Sequence, residues 1–197
     1  MQIACRPIGM LGANCYIVNK RLMIDPGDSV PELNAFVRDA GADIRSVVIT
    51  HGHFDHMLGA AHMQRCLGAK ICISEPDAHS LWEEKTALCL PYARTRFEAI
   101  KPDTVLKEGT CEIEGVEFEI WLTPGHTPGG ICLISHGDKC VFTGDTLFKY
   151  GYGRTDLAGG NETELFRSLR RLLRLPTEYR IYPGHGESAT IGEITGS

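Results

Sequence analysis

The stretch that most constrains this chain is VVITHGHFDHMLG at residues 47–59, where a short apolar run leads directly into three histidines and one aspartate. In an extended loop, residues two apart point to the same side, so His51 and His53 can converge on one ion. Asp55 and His56 come next and must point elsewhere, toward a second ion or a substrate. Because the preceding run is apolar, we expect this loop at the C-terminal end of a buried strand, where α/β proteins place their sites.

Three further loops repeat the same design of a strand-like run, a glycine and one ligand-type side chain. LTPGHTPGG presents His126, VFTGDTLF presents Asp145, and IYPGHGE presents His185. This repetition predicts that the ends of these strands meet at one place. Together the motifs supply five histidines and two aspartates without a thiolate. Such a donor set suits zinc, iron or manganese, and a shared carboxylate suits a two-metal site.

The first half of the chain alternates predicted strands and helices, as in a layered α/β fold. Two strands are predicted on either side of a tight turn at Asn19–Lys20. A helix is predicted over residues 29–41, where Ser29 and Glu32 can form a capping box and Gly41 supplies the stop. The strand and helix that follow complete the βαβ rhythm.

The second half is rich in predicted strands and ends with one clear helix, for which Asn161 is the predicted N-cap and Pro176 the stop. Strands followed by a helix thus occur twice, which predicts two α/β halves packed sheet to sheet. The apolar residues on one face of the late helix are Leu165, Phe166, Leu169, Leu172 and Leu173.

At 197 residues the chain is expected to form one domain, residues 1–197. Residues 83–103 interrupt the alternation and are interpreted as a lid or insertion. The formal net charge of −5 argues against a nucleic-acid partner. The sequence contains no run of about 18 apolar residues, so no membrane helix is predicted. None of the eight cysteines forms a C-x-x-C pair. We therefore expect a soluble cytoplasmic protein with reduced thiols and a small-molecule substrate.

Ligand-type residues outside these motifs have plainer interpretations. His62, His79 and His136 stand alone in the sequence and are expected to be ordinary surface or packing residues. Asp25 in IDPGD is interpreted as a turn residue rather than as part of a site.

The ordered motifs THGHFDH, TPGHTPGG, GDTLF and YPGHG resemble those of the metallo-β-lactamase superfamily. GRTDL and GHGESATIGEI are similar to the glyoxalase II-like branch, the hydroxyacylglutathione hydrolases. The resemblance implies a four-layer αββα sandwich and two divalent metal ions, most often zinc. It also implies that Asp25 lies near the site as an outer residue. The implied ligands are His51, His53 and His126 for one ion, Asp55, His56 and His185 for the other, and Asp145 as the bridge.

One departure from the glyoxalase II pattern concerns glutathione. Full-length glyoxalase II enzymes continue into a helical domain that supplies much of the glutathione-binding surface, whereas 197 − 185 leaves 12 residues after His185 here. Either other groups hold glutathione or the substrate is a different one. The candidate groups include the basic residues of 83–103, because an arginine or lysine can bind a substrate carboxylate. The candidates that follow the Asp145 motif are Lys149, Tyr150, Tyr152 and Arg154.

The predicted reaction is hydrolysis of a small acyl thioester such as S-lactoylglutathione. Two cations lower the pKa of a bound water, Asp55 and Asp145 orient that water, and no serine or cysteine nucleophile is required. An alternative is a persulfide dioxygenase, which resembles this family and holds a single iron, here through His51, His126 and Asp145. Hydrolysis of a lactam, another ester or a phosphodiester remains open because one fold hosts many activities. A non-enzymatic alternative is a metal-buffering protein.

Overall fold

The chain forms two compact units, each with its own mixed β-sheet. This computed structural model describes residues 1–84 and 96–196. The first unit spans Met1–Leu106 and the second spans Lys107–Ser197. The sequence prediction of a single domain stays a prediction. None of the helices within the described ranges has the length and apolar character needed to cross a membrane.

The first unit carries six strands among its described residues, with helices connecting its parallel half. Its strands are β1 (Ile3–Ile8), β2 (Ala13–Val18), β3 (Leu22–Ile24), β4 (Ser46–Val48), β5 (Lys70–Ser74) and β6 (Thr104–Leu106). Its helices are α1 (Pro31–Asp39), α2 (Phe54–Met57), α3 (Gly59–Leu67) and a 3-10 turn at Ala78–Leu81. The sheet keeps chain order, antiparallel from β1 to β3 and parallel from β3 to β6. Helix α1 thus connects β3 to β4, as the predicted βαβ rhythm requires.

Local signals place the start of this unit well, with one error. The turn between β2 and β3 has positive φ at Asn19 (46°) and Lys20 (62°), which matches the right-handed twist of a hairpin. The predicted capping box of Ser29 and Glu32 is wrong. Helix α1 begins at Pro31, and no side chain caps it. Proline fixes the first helical φ and keeps the residue before it extended, so the N-cap is Val30, one residue later than the polar signal suggests.

Apolar side chains from α1 and α3 bury the helices against the parallel strands. This packing fixes the positions of the C-terminal ends of β3 and β4. The loops that carry ligand-type residues start at those ends. The buried contributors include Leu33, Phe36, Val47, Ile49, Ala60, Met63, Ile71 and Ile73.

The predicted lid at 83–103 falls partly within the described residues. Lys85, Tyr92 and Arg94 lie outside them. Phe97 is half-buried and packs against the apolar core of the first unit. The backbone N–H of Ile100 donates to the carbonyl of Leu81. The end of this segment is therefore tied into the first unit.

The second unit also forms a mixed sheet within its described part. Its strands are β7 (Gly109–Ile113), β8 (Val116–Leu122), β9 (Ile131–Ser135), β10 (Cys140–Gly144), β11 (Leu147–Phe148), β12 (Gly151–Tyr152), β13 (Arg180–Pro183) and β14 (Ala189–Thr190). Its helices are α4 (Glu162–Leu172) and α5 (Ile191–Thr195). The main sheet has the order β14-β13-β10-β9-β8-β7, while β11 and β12 form a separate ribbon. Strands β10 and β13 are parallel and joined through α4, so two polar loops leave the same edge.

Helix α4 follows its sequence signals closely at its start and less closely along its face. The Asn161 side chain accepts from the backbone N–H of Glu164 at 3.2 Å, as predicted. Leu165, Leu169 and Leu172 are buried. Phe166 and Leu173 are each 37% exposed, so their placement on the buried face was wrong. Both lie one position beyond a buried leucine, at the edge of the apolar stripe.

Replacing Asn161 with alanine should lower the free energy of unfolding by about 1 kcal/mol, because an orphan N–H at the start of α4 loses its acceptor. Urea denaturation followed by circular dichroism measures this. The control is Arg167→Ala on the exposed face of the same helix. A change no larger than that of the control would contradict the capping role.

Candidate metal centre

The loop after β4 gathers three buried histidines within the first unit. His51, His53 and His56 are all buried. The ring centroids of His51 and His56 lie 4.2 Å apart, and those of His51 and His53 lie 4.9 Å apart. Imidazole rings removed from water in this way need polar partners, because burial of a polar group without one is costly. The ring of His51 thus lies near both other rings and is closer to His56, which the sequence placed toward a second ion, than to His53.

Asp25 was interpreted from its local pattern as a turn residue and from the family resemblance as an outer residue of the site. It does sit in a turn, with φ of 51°, but its carboxylate is 1% exposed and organises the histidine loop. One oxygen accepts from the backbone N–H of Thr50 at 2.7 Å. The other accepts from the Thr50 hydroxyl at 2.7 Å and pairs with Nδ1 of His56 at 2.8 Å. Asp25 directly follows the apolar strand β3, and the parallel pairing of β3 with β4 brings it beside the histidine loop.

These contacts fix which nitrogen of two histidines can bind a metal. Carboxylates accept, so the Asp25 contact places the proton of His56 on Nδ1. The Thr50 hydroxyl gives its proton to Asp25 and therefore accepts from Nδ1 of His51, 3.1 Å away. In both rings the lone pair is then on Nε2, the nitrogen that a cation would take.

Position 52, between His51 and His53, is a glycine, and the structure leaves no room there for a side chain. A Cβ at this position would lie 2.3 Å from Oγ of Ser80. The backbone N–H of Gly52 donates to the buried carboxylate of Asp77 at 2.9 Å. The loop is thus held against the 3-10 turn that contains Ser80, which keeps His51 and His53 in place.

Asp55 and His56 have the spacing of two ligands of one metal ion. Oδ2 of Asp55 lies 3.6 Å from Nε2 of His56. Two donor atoms bound to one ion at about 2.1 Å in tetrahedral geometry lie about 3.4 Å apart. The observed separation is longer than a hydrogen bond and close to this value. The pair therefore fits a divalent cation.

The second unit holds a matching set around Asp145. Oδ2 of Asp145 lies 3.6 Å from Nε2 of His126 and 3.6 Å from Nε2 of His185. Asp145 follows β10 and His185 follows β13, the parallel pair whose ends share one edge. One carboxylate oxygen is thus placed at ligand spacing from two imidazole nitrogens. These three side chains therefore have the spacing of ligands to divalent cations.

A backbone carbonyl orients His126. Nδ1 of His126 lies 2.7 Å from the carbonyl oxygen of Arg154, so the ring donates there and keeps its lone pair on Nε2. No sequence signal could reveal this partner, because every residue carries a carbonyl. The close passage of the chain depends on Gly153, where a Cβ would lie 1.9 Å from the Asp145 carbonyl oxygen and 3.0 Å from the His126 ring.

Replacing Gly153 with alanine should destabilise the protein by about 2–4 kcal/mol and weaken metal binding, because the added methyl group overlaps the backbone of Asp145. Thermal unfolding and metal titration measure the two effects. Gly137→Ala is the control, since a Cβ there meets nothing within 4 Å. Equal stability of both variants would contradict this packing.

The four predicted substrate residues are placed at and beside the β11–β12 ribbon. Nζ of Lys149 lies 2.6 Å from Glu187 and 5.1 Å from the ring centroid of Tyr150. The guanidinium of Arg154 bonds both carboxylate oxygens of Asp156 at 2.7 Å. Glu187 raises the pKa of Lys149. Both positive charges therefore already have carboxylate partners that a substrate anion would have to displace.

The two tyrosines of this group differ in their packing. Tyr150 is 84% exposed. The ring of Tyr152 packs edge-on against Phe166 with centroids 5.5 Å apart. This contact gives Phe166 a role at the edge of α4 that its sequence position did not indicate.

Comparison with known proteins gives one consistent family. The family model described as the metallo-beta-lactamase superfamily matches residues 8–185. The chain is 33% identical over 200 residues to hydroxyacylglutathione hydrolase GloC of Haemophilus influenzae, covering 98% of this chain and 94% of that protein. It is similar to the solved structure of the BLEG-1 B3 metallo-beta-lactamase, with a TM-score of 0.92, 27% identity and coverage of 100% and 97%. It is also similar to TTHA1623 in a di-iron-bound form, with a TM-score of 0.79, 31% identity and 96% coverage of each chain.

Proposed function

Since the chain belongs to the metallo-β-lactamase superfamily and has its fold, we propose that this metal-dependent hydrolase cleaves a small acyl thioester such as S-lactoylglutathione. The observation that carries the proposal is the position of Asp145, whose Oδ2 lies 3.6 Å from Nε2 of both His126 and His185. A structural aspartate would hydrogen-bond at about 2.7–3.0 Å. The longer, paired spacing favours a carboxylate built to serve two cations.

The assignment of ligands to ions follows the ordered motifs of the family. We assign Asp145 to both ions. Zinc and iron both suit this donor set. Iron is retained as a candidate because the similar protein TTHA1623 was solved in a di-iron-bound form. The remaining ligands are His51, His53 and His126 for one ion and Asp55, His56 and His185 for the other.

The chain's own residues prepare the site for hydrolysis. Two divalent cations would acidify water and polarise a carbonyl oxygen. Asp25 and Thr50 hold His56 and His51 in the tautomer that exposes Nε2. Asp55 and Asp145 are the carboxylates that would orient that water toward the acyl carbon. Water adds to the acyl carbon, the C–S bond breaks, and the products are a carboxylate, a thiol and a proton.

The thioester preference is supported by the similarity to GloC. That protein is named a hydroxyacylglutathione hydrolase and is matched over 94% of its own length. Lys149 and Arg154 are the cations beside the metal ligands that could accept a substrate carboxylate.

A second candidate function is lactam hydrolysis. The similarity to the BLEG-1 B3 metallo-beta-lactamase, with a TM-score of 0.92, favours it as the competing activity. The same cation chemistry would serve, because an amide carbonyl in a strained ring is attacked in the same manner. The two candidates differ in the leaving group, a thiol in one case and a ring nitrogen in the other.

A substrate screen with metal analysis on the same sample tests the proposal. The purified protein is assayed with S-lactoylglutathione, a simple acetyl thioester, nitrocefin, bis-p-nitrophenyl phosphate and glutathione persulfide with an oxygen electrode. We expect hydrolysis of thioesters with kcat/KM of at least about 10⁴ M⁻¹s⁻¹. Metal-loaded protein that leaves both thioesters intact would sink the proposal, and faster turnover of nitrocefin would favour the lactam alternative. Oxygen uptake with one iron per chain would establish the dioxygenase.

A further inference from the structure

The histidine loop after β4 is held from both sides by carboxylates that follow the neighbouring strands. In the sheet, β4 lies between β3 and β5 and runs parallel to both. Asp25 comes directly after β3, and Asp77 comes shortly after Ser74, the last residue of β5. Parallel strands present their C-terminal ends at the same edge of a sheet, so both carboxylates can reach this loop.

The groups that these carboxylates bind are backbone amides on either side of His51. The N–H of Thr50 donates to Oδ1 of Asp25 at 2.7 Å. The N–H of Gly52 donates to Oδ2 of Asp77 at 2.9 Å. Hydrogen bonds from a backbone N–H to a carboxylate are stronger than those between neutral groups. The backbone is therefore fixed one residue before and one residue after His51.

The side chain of Asp77 does not cap the turn that it begins. Asp77 is the N-cap residue of the 3-10 turn at Ala78–Leu81, but its side chain accepts no hydrogen bond from that turn. Aspartate at an N-cap ordinarily makes such a bond. Here the side chain is 2% exposed and bonds the N–H of Gly52 instead. Burial of a carboxylate is costly without hydrogen bonds, so this contact also offsets part of that cost.

We propose that Asp77 is a positioning residue of the metal centre, which acts through the backbone N–H of Gly52 to hold His51 and His53 in the geometry that one cation requires. This role rests on the proposed function, in which these two histidines bind the same ion. Without the Asp77 acceptor, the backbone between the histidines gains conformational freedom that metal binding must then remove. Residues outside the ligand set that orient the ligands raise metal affinity in this way.

Metal titration of the Asp77→Ala variant tests this role in the full chain. The metal-free protein is titrated with zinc against a chromophoric chelator, and a second sample is loaded with cobalt for visible absorption. We expect Asp77→Ala to bind one of the two ions about 10–100-fold more weakly than the unaltered protein, with a changed cobalt spectrum. Unaltered affinity for both ions would overturn the proposal.

The matched control is Asp103→Ala. The Asp103 carboxylate also accepts a backbone N–H of the first unit, that of Ile71 in β5 at 2.8 Å. This variant loses a comparable hydrogen bond outside the histidine loop, so its metal affinity and cobalt spectrum should not change. An equal loss of metal affinity in both alanine variants would assign the effect to lowered stability and overturn the proposal.

Asp77→Asn separates the hydrogen bond from the charge, and it decides the matter where the alanine variant does not fold. The amide oxygen can still accept from the N–H of Gly52, so both ions should bind within about threefold of the unaltered affinity. A loss above about tenfold would overturn a role that acts through this hydrogen bond.

The amide resonance of Gly52 reports the hydrogen bond directly in the metal-free protein. In proton–nitrogen correlation spectra it should move upfield in Asp77→Ala and stay in place in Asp103→Ala. A Gly52 resonance that Asp77→Ala leaves unmoved would overturn the proposal. Neither this measurement nor the metal titration uses a substrate, so failure of thioester hydrolysis is distinguished from failure of the Asp77 role.

Discussion

Replacing Asp145 with asparagine is expected to lower kcat/KM for a thioester about 10³-fold, equivalent to about 4 kcal/mol. The amide keeps the size of the side chain and removes the charge that two cations would share. Oδ2 of Asp145 lies 3.6 Å from Nε2 of both His126 and His185, so the lost charge is one that both imidazoles adjoin. Steady-state kinetics and elemental analysis of the purified variant measure the loss of activity and of metal.

The matched control for this variant is Glu178→Gln. Glu178 is an exposed carboxylate of the same unit whose partner is Lys139 at 3.3 Å. The same loss of charge there should leave metal content and kcat/KM unchanged. An Asp145→Asn variant that keeps two metals and full activity would contradict the bridging role.

Replacing Asp25 with asparagine is expected to weaken metal binding about 10–100-fold and to destabilise the protein by about 2–4 kcal/mol. The backbone φ of 51° suits asparagine as well as aspartate, so the turn itself is preserved. The amide group, however, would meet the Thr50 hydroxyl and His56 with a donor instead of an acceptor. Donation to Nδ1 would move the His56 proton to Nε2, the nitrogen that the metal needs.

Metal titration and chemical denaturation of the Asp25→Asn variant separate its two effects. Asp43→Asn is the control, because Asp43 is an exposed carboxylate of the same unit that pairs with Arg45. Unchanged metal affinity with lowered stability would show that Asp25 supports the fold without setting the tautomer of His56.

The sequence predicts the ligand loops better than the elements around them. His126, Asp145 and His185 share a local pattern of a strand-like run, a glycine and a polar residue, and His51 directly follows a strand-like run. Asp25 follows β3 in a similar way, but its role requires the parallel pairing of β3 with β4, a contact that joins distant parts of the chain. The carbonyl of Arg154 has no sequence signal at all, because backbone atoms are common to every residue.

Errors in the secondary structure have equally local causes. Strands β1 and β7 were not predicted, because polar residues such as Arg6 and Glu112 interrupt their apolar residues. Helix α2 has four residues, too few to show a period of 3.6. The capping box at Ser29 failed because Pro31 sets the helix start. Phe166 was misplaced because the face of a helix is a continuous stripe, whose edge the sequence does not mark.

Anomalous diffraction from metal-loaded crystals tests the central claim most directly, that Asp145 serves two cations. The account predicts two anomalous peaks, one within about 2.0–2.2 Å of Nε2 of His126 and the other at the same distance from Nε2 of His185. Both peaks should contact the Asp145 carboxylate. A fully loaded crystal with a single peak, or with peaks that do not contact Asp145, would contradict the two-metal account.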